Sequence, residues 1–144
     1  MKFNSLIPEL SVSNIEISKE FYLKIGFHIV YERKEDRFVF LQFEENQIML
    51  EEINDHWNTG VLEYPFGRGV NFSMTVSDVE KLYTDLKEKK VPFYLPLECH
   101  EYKVDNTVYK DFEFLLQDPD GYLLRFNNWS FKFKKLILNS FFCF

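Results

Sequence analysis

At 144 residues, 46% of them hydrophobic and 19% aromatic, the chain is long enough to bury roughly two thirds of its unfolded surface in one domain. Its 17 basic and 23 acidic residues give a net charge of −6. That excludes nucleic-acid binding led by phosphate contacts, because nothing supplies counterion release, and it makes an acidic cleft a better host for a cationic ligand. No apolar run reaches the roughly 20 residues that span a bilayer, and the N-terminus lacks the basic-then-apolar order of a secretory leader. Cys99 and Cys143 have neither disulfide-framework nor zinc spacing, so the expected setting is the reducing cytoplasm, with no membrane partner.

In chain order, Leu6 to Val12 is an apolar run fit for a strand, leading into Ser13-Asn14-Ile15-Glu16, a Ser-x-x-Glu capping box. Ile17, Phe21 and Ile25 then recur at helical spacing until Gly26 stops the helix. Strand signals follow at Phe27 to Glu32, Phe38 to Phe43 and Gln47 to Glu52. The order then repeats. Val70 to Val76 is a strand run, and Ser77-Asp78-Val79-Glu80 is a second box, 64 residues after the first. Val79, Leu82, Tyr83 and Leu86 mark a helix stopped by Lys87 to Lys90 and Pro92. Pro92 to Leu97, Phe112 to Gln117 and Tyr122 to Asn127 complete the half. Each half is therefore βαβββ. Phe38-Val39-Phe40-Leu41 matches Phe112-Glu113-Phe114-Leu115 at a shift of 74, which leaves about ten extra residues near Glu98 to Val108. Without a clear period, that stretch reads as a long loop, either lining a ligand site or simply solvated.

Asp118-Pro119-Asp120-Gly121 followed by Tyr122-Leu123-Leu124-Arg125-Phe126 closely resembles the last hairpin of the vicinal-oxygen-chelate superfamily of glyoxalases, bleomycin-binding proteins and dioxygenases. Phe21-Tyr22-x-x-x-Gly26-Phe27, Gln47 to Glu52 and Gly67 to Phe72 extend the resemblance over about residues 5 to 128. Gly26 to Tyr31, Phe38 to Gln42, Met49 to Glu51 and Leu123-Leu124-Arg125 are most similar to the bleomycin-resistance branch. The resemblance implies an α+β fold in which two βαβββ modules, about 5–53 and 69–128 of a single 1–128 domain, form an incomplete barrel around a cleft. It also implies a homodimer whose grooves are completed by dimerisation. In several relatives the first strand crosses to the partner; Pro8 suits such a strand or, equally, an ordinary edge.

Metal-dependent relatives hold a divalent cation with His, Glu or Gln from the first and last strands of each half. By the shifts of 64 and 74, those positions here are Ile7, Glu51, Asn71 and Arg125. One of the four is a good donor, and a guanidinium repels a cation. No metal and no other cofactor is therefore expected. His28, His56 and His100 lack ligand spacing, and no nucleophile elbow or phosphate loop is present. Binding without catalysis is the expected class, with the metal-dependent enzyme of the same superfamily as the alternative. Phe38 and Tyr109 occupy positions where bleomycin-binding relatives place groove aromatics, and Trp57 is a third candidate. Glu51 and Arg125, flanked by Asn71, would form an ion pair or recognise the ligand together. From Trp129 to Phe144 a tail rich in phenylalanine and lysine reads as a docked or dimer-contacting segment, or as a weak membrane anchor.

Overall fold

The computed structural model describes residues 1–129. The expectations for the tail, and Cys143, lie outside these residues. Among the described residues, no helix is long and apolar enough to cross a membrane.

Among the described residues, ten elements follow the order the duplication demands: β1 (Glu9–Val12), α1 (Ile15–Ile25), β2 (His28–Arg33), β3 (Phe38–Phe43), β4 (Asn46–Glu52), then β5 (Asn71–Thr75), α2 (Val79–Glu88), β6 (Leu95–Val104), β7 (Thr107–Gln117) and β8 (Leu123–Asn127). They build two open four-stranded sheets, β1-β4-β3-β2 and β5-β8-β7-β6, each with one helix. In each, the first strand runs parallel to the last, as a βαβββ unit requires when the helix carries the chain back. β1 pairs with β4 of its own chain, from Glu9 opposite Met49 to Val12 opposite Glu52. Two compact units result: Met1–Val70 with Gln117–Tyr122, and Asn71–Leu116 with the chain from Leu123 onward.

In the first unit, Leu10, Val12, Val39, Leu41, Ile48 and Leu50 are buried on the face of the sheet that α1 covers with Ile15, Ser18, Tyr22 and Ile25. Ile17, expected in that stripe, is 56% exposed. The buried stripe runs through Ile15, Ser18, Tyr22 and Ile25, at helical spacing, and the helix starts one residue later than the capping box suggests. Its cap is Asn14, whose Oδ1 accepts the amides of Glu16 and Ile17 at 3.1 Å. Asp78 takes the same role for α2, accepting Lys81 N–H at 3.0 Å. Asn and Asp outrank a neighbouring Ser only slightly as caps, but Ser13 is already committed: its backbone N–H and its hydroxyl both donate to the Asp120 carboxylate, at 3.0 and 2.5 Å.

Asp120 belongs to the Asp-Pro-Asp-Gly turn, which is fastened to β1 and α1 by a buried network. Tyr22 Oη donates to Asp118 Oδ2 at 2.8 Å, Asp118 Oδ1 accepts the amides of Asp120 and Tyr122, and Tyr122 Oη donates to the Ser11 carbonyl at 2.8 Å. Gly121, at φ 94°, has the Pro65 ring against it: a Cβ there would sit 2.5 Å from the Pro65 Cβ. Only glycine fits both the turn and that approach. Burial pushes the Asp118 carboxyl up to about 6, against the lowering pull of its hydrogen bonds.

The stretch expected as a loop near Glu98 to Val108 is instead a two-stranded ribbon. Antiparallel pairs run from Glu98 opposite Glu113 to Val104 opposite Thr107, closed by Asp105-Asn106 with Asp105 at φ 54°. Asp-Asn supplies the left-handed residue that a two-residue hairpin turn needs. The ribbon carries a Tyr102–Tyr109 stack with centroids 5.8 Å apart and a Lys110–Glu101 ion pair.

Candidate functional site

Strand register decides which side chains share a face. Across the first sheet one row reads Arg33, Phe38, Glu51, Ser11, and the next Tyr31, Phe40, Met49, Glu9. Neighbours in a row project to the same side, and the residues between them are the ones packed on α1. These two rows therefore line the face turned away from the helix. On it, Tyr31 stacks on Phe40 at 5.5 Å and lies 5.8 Å from Phe38, and Phe3 meets Phe40 edge-on at 5.4 Å.

Glu51 is the polar centre of this face. Trp57 Nε1–H donates to its Oε2 at 3.1 Å and Asn54 Nδ2 to its Oε1 at 2.7 Å. Burial works against the Glu51 charge, but hydrogen bonds from Glu9, Asn54 and Trp57 outweigh it and lower its pKa. The proton is left with Glu9, whose carboxyl is pushed up to about 7 by burial and by the bond to Glu51, with Arg33 pulling the other way. The Trp57 ring, 67% exposed, stands beside the acid pair. At the end of the same sheet a recess of about 370 Å³ also reaches Phe38. The charges around it are matched already: Lys19 with Glu16 and Glu32, Arg37 with Glu52.

In the second unit, Arg125 donates through Nε and Nη2 to Glu113 Oε2, at 3.2 and 2.8 Å, and through Nη1 to Asn71 Oδ1 at 3.1 Å. Asn127, fully buried, donates to Ser73 Oγ at 2.8 Å and accepts from Thr75 Oγ1 at 3.1 Å.

The register also corrects the ruler taken from the sequence. Leu10 pairs with Leu50, and Met74, 64 residues on from Leu10, pairs with Phe126, which is 76 on from Leu50. The last-strand shift is thus 76 rather than 74, because the turn Asp118–Gly121 is two residues longer than Glu44–Glu45. Glu51 is therefore the counterpart of Asn127, and Arg125 the counterpart of Met49. Both halves keep a polar node at the same place, Glu9–Glu51 in one and Ser73–Asn127 in the other.

Of the six residues singled out from sequence, Phe38, Glu51 and Trp57 meet in the first unit and Asn71 and Arg125 in the second, while Tyr109 sits on the ribbon against Tyr102. Glu9, Tyr31, Arg33 and Asn54 were missed; pairing the Tyr31-Glu32-Arg33 run with Phe38-Val39-Phe40 across the hairpin is the signal that could have found two of them. Glu9 and Glu51 are the two carboxylates of the first-unit face, while in the second unit the Arg125 guanidinium is hydrogen-bonded to Asn71. Among the described residues, no three His, Cys, Asp or Glu side chains group to hold a metal ion.

The family model described as "Glyoxalase/Bleomycin resistance protein/Dioxygenase superfamily" matches residues 3–126. No curated protein sequence matches the chain. Among solved structures, a glyoxalase/bleomycin resistance protein/dioxygenase superfamily member from Vibrio splendidus 12B01 is 36% identical over 83% of this chain and 92% of its own, with a TM-score of 0.39, so the likeness is one of sequence. A glyoxalase/bleomycin resistance protein/dioxygenase from Alicyclobacillus acidocaldarius is 24% identical, covering 86% of this chain and 89% of its own, with a TM-score of 0.60. A bleomycin-binding protein complexed with bleomycin is 19% identical, covering 87% and 98%, with a TM-score of 0.59. At these identities the last two establish a common fold.

Proposed function

Because the chain belongs to the glyoxalase/bleomycin resistance protein/dioxygenase superfamily, whose members range from enzymes to binding proteins, we propose that it is a binding protein. It sequesters a cationic, aromatic small molecule of the bleomycin type without turnover, as a cytoplasmic homodimer conferring antibiotic resistance. One observation carries the reading: on a single sheet face the carboxylate of Glu51 stands opposite Phe38 and accepts a hydrogen bond from an exposed Trp57, with Tyr31 beside Phe38. An acid among aromatic faces is the chemistry a flat cation needs, attraction from the ring quadrupoles adding to that of the charge. The bleomycin-bound structure among the matches supports the choice of ligand class.

The test is calorimetric titration with metal-free and copper-loaded bleomycin. Micromolar or tighter binding is expected, with Glu51→Gln weakening it about tenfold, the loss of a charge-assisted contact. No heat at micromolar concentrations sinks the ligand assignment, and a stoichiometric divalent ion required for turnover of any substrate sinks the non-catalytic one.

A further inference from the structure

The aromatic face already holds a cation. The Arg33 guanidinium carbon lies 3.9 Å from the centroid of the Phe38 ring, with Tyr31 alongside. Arg33 is the residue paired directly with Phe38, and Phe38 with Glu51, so the three stand in one row. Its Nε is tethered at 2.8 Å to Asp36, across the hairpin turn, and its charge is felt by both Glu9 and Glu51. Half of the Arg33 side chain is exposed, so the guanidinium can swing off the ring into solvent, while Phe38, 4% exposed, lies beneath it with Tyr31 alongside.

We infer that Arg33 is an internal stand-in for the ligand, and that a planar delocalised cation, an amidinium, a guanidinium or a cationic heteroaromatic, binds by displacing it from Phe38 beside Glu51. The inference rests on the cation-binding role proposed for that face. The geometry names the ligand class more narrowly than charge does. A flat cation reproduces both the stacking on Phe38 and the proximity to the carboxylates, whereas a compact ammonium reproduces only the second. It also makes Arg33 a built-in competitor, held at the high effective concentration of any intramolecular group, that sets affinity without touching the bound ligand.

The probe is benzamidinium, titrated into the full chain by NMR and followed at the Phe38 ring protons. Arg33→Gln is expected to bind it about fivefold tighter than the wild type, the worth of one exposed cation–π contact. Arg33→Lys, which keeps the charge without the flat stack, is expected to gain as well. Lys34→Gln removes the same charge one residue away and is expected to change affinity less than twofold. The inference is overturned if neither Arg33 variant binds tighter than wild type, if Lys34→Gln gains as much as they do, or if the Phe38 signals do not move. Bleomycin titration of the wild type decides the proposed function separately, so the two can fail independently.

Discussion

Among individual side chains, Arg125 gives the sharpest contrast between chemistry and position. Its sequence position suggested a partner in Glu51, yet its Nε and Nη2 both reach Glu113, whose side chain is 14% exposed. Truncating one partner of such a pair leaves the other desolvated and unsatisfied, and that costs more than the pair itself contributes. Arg125→Leu is accordingly expected to destabilise the fold by about 1–2 kcal/mol, read as a lower urea midpoint at unchanged slope. Adding Glu113→Leu is expected to restore most of the loss, because the orphaned carboxylate goes with it. Sequence alone located Arg125 and Glu51 by extrapolating a repeat. It did not locate Glu113, whose relevance comes from pairing across strands rather than from spacing along them, and Arg33 was within reach only by pairing its run with Phe38-Val39-Phe40 across the hairpin.

For helices and strands, legibility followed burial. α1, α2 and the strands packed against them show clear periodicity because one face of each is apolar and the other is not. The β6–β7 ribbon was unreadable for the converse reason. From Glu98 to Lys110 both faces are largely solvated, so charges fall on either side and no alternation appears. The two-residue error in last-strand register has a similar origin, since a turn that lengthens without disturbing the hydrophobic pattern leaves no trace in that pattern. Caps are the elements' other local signal, and Asn14 can be tested directly. It satisfies two orphan amides of α1, while a third, Ile15 N–H, is taken by Glu52 Oε2 at 3.1 Å. Asn14→Ala is expected to cost about 1 kcal/mol, measured by chemical denaturation. Asn14→Asp, which retains the acceptor and adds a favourable charge at the helix N-terminus, is expected to be neutral or stabilising.

For the folded molecule, the pH dependence of stability follows from which acids the fold shifts and in which direction. Asp118 is raised from 3.8 to about 6 and Glu9 from 4.5 to about 7, so between about pH 4 and 7 the native state binds more protons than the unfolded chain. Stability then falls as pH rises through that window, and is recovered on acidification. Glu32, Glu51 and Glu52 are lowered, by the salt bridge to Lys19, by the hydrogen bonds around Glu51 and by the Ile15 amide respectively; their stabilisation is present above 4.5 and lost as pH drops below it. The two sets give a maximum on the acid side of neutrality, with a decline above it dominated by Asp118, the buried member. Its share is on the order of 2–3 kcal/mol between pH 4 and pH 7.5. Asp118→Asn keeps an acceptor for the amides of Asp120 and Tyr122 and offers an N–H to Tyr22 Oη, and it cannot ionise. Urea denaturation from pH 4 to 8 is therefore expected to show a sloping stability in the wild type and a shallower one in Asp118→Asn, in which the decline due to Glu9 remains, the two curves diverging toward alkaline pH with the variant the more stable. Parallel curves would mean that the Asp-Pro-Asp-Gly turn accommodates the ionised carboxylate at no cost, and that its grip on β1 and α1 rests on Asp120 and Tyr122 alone.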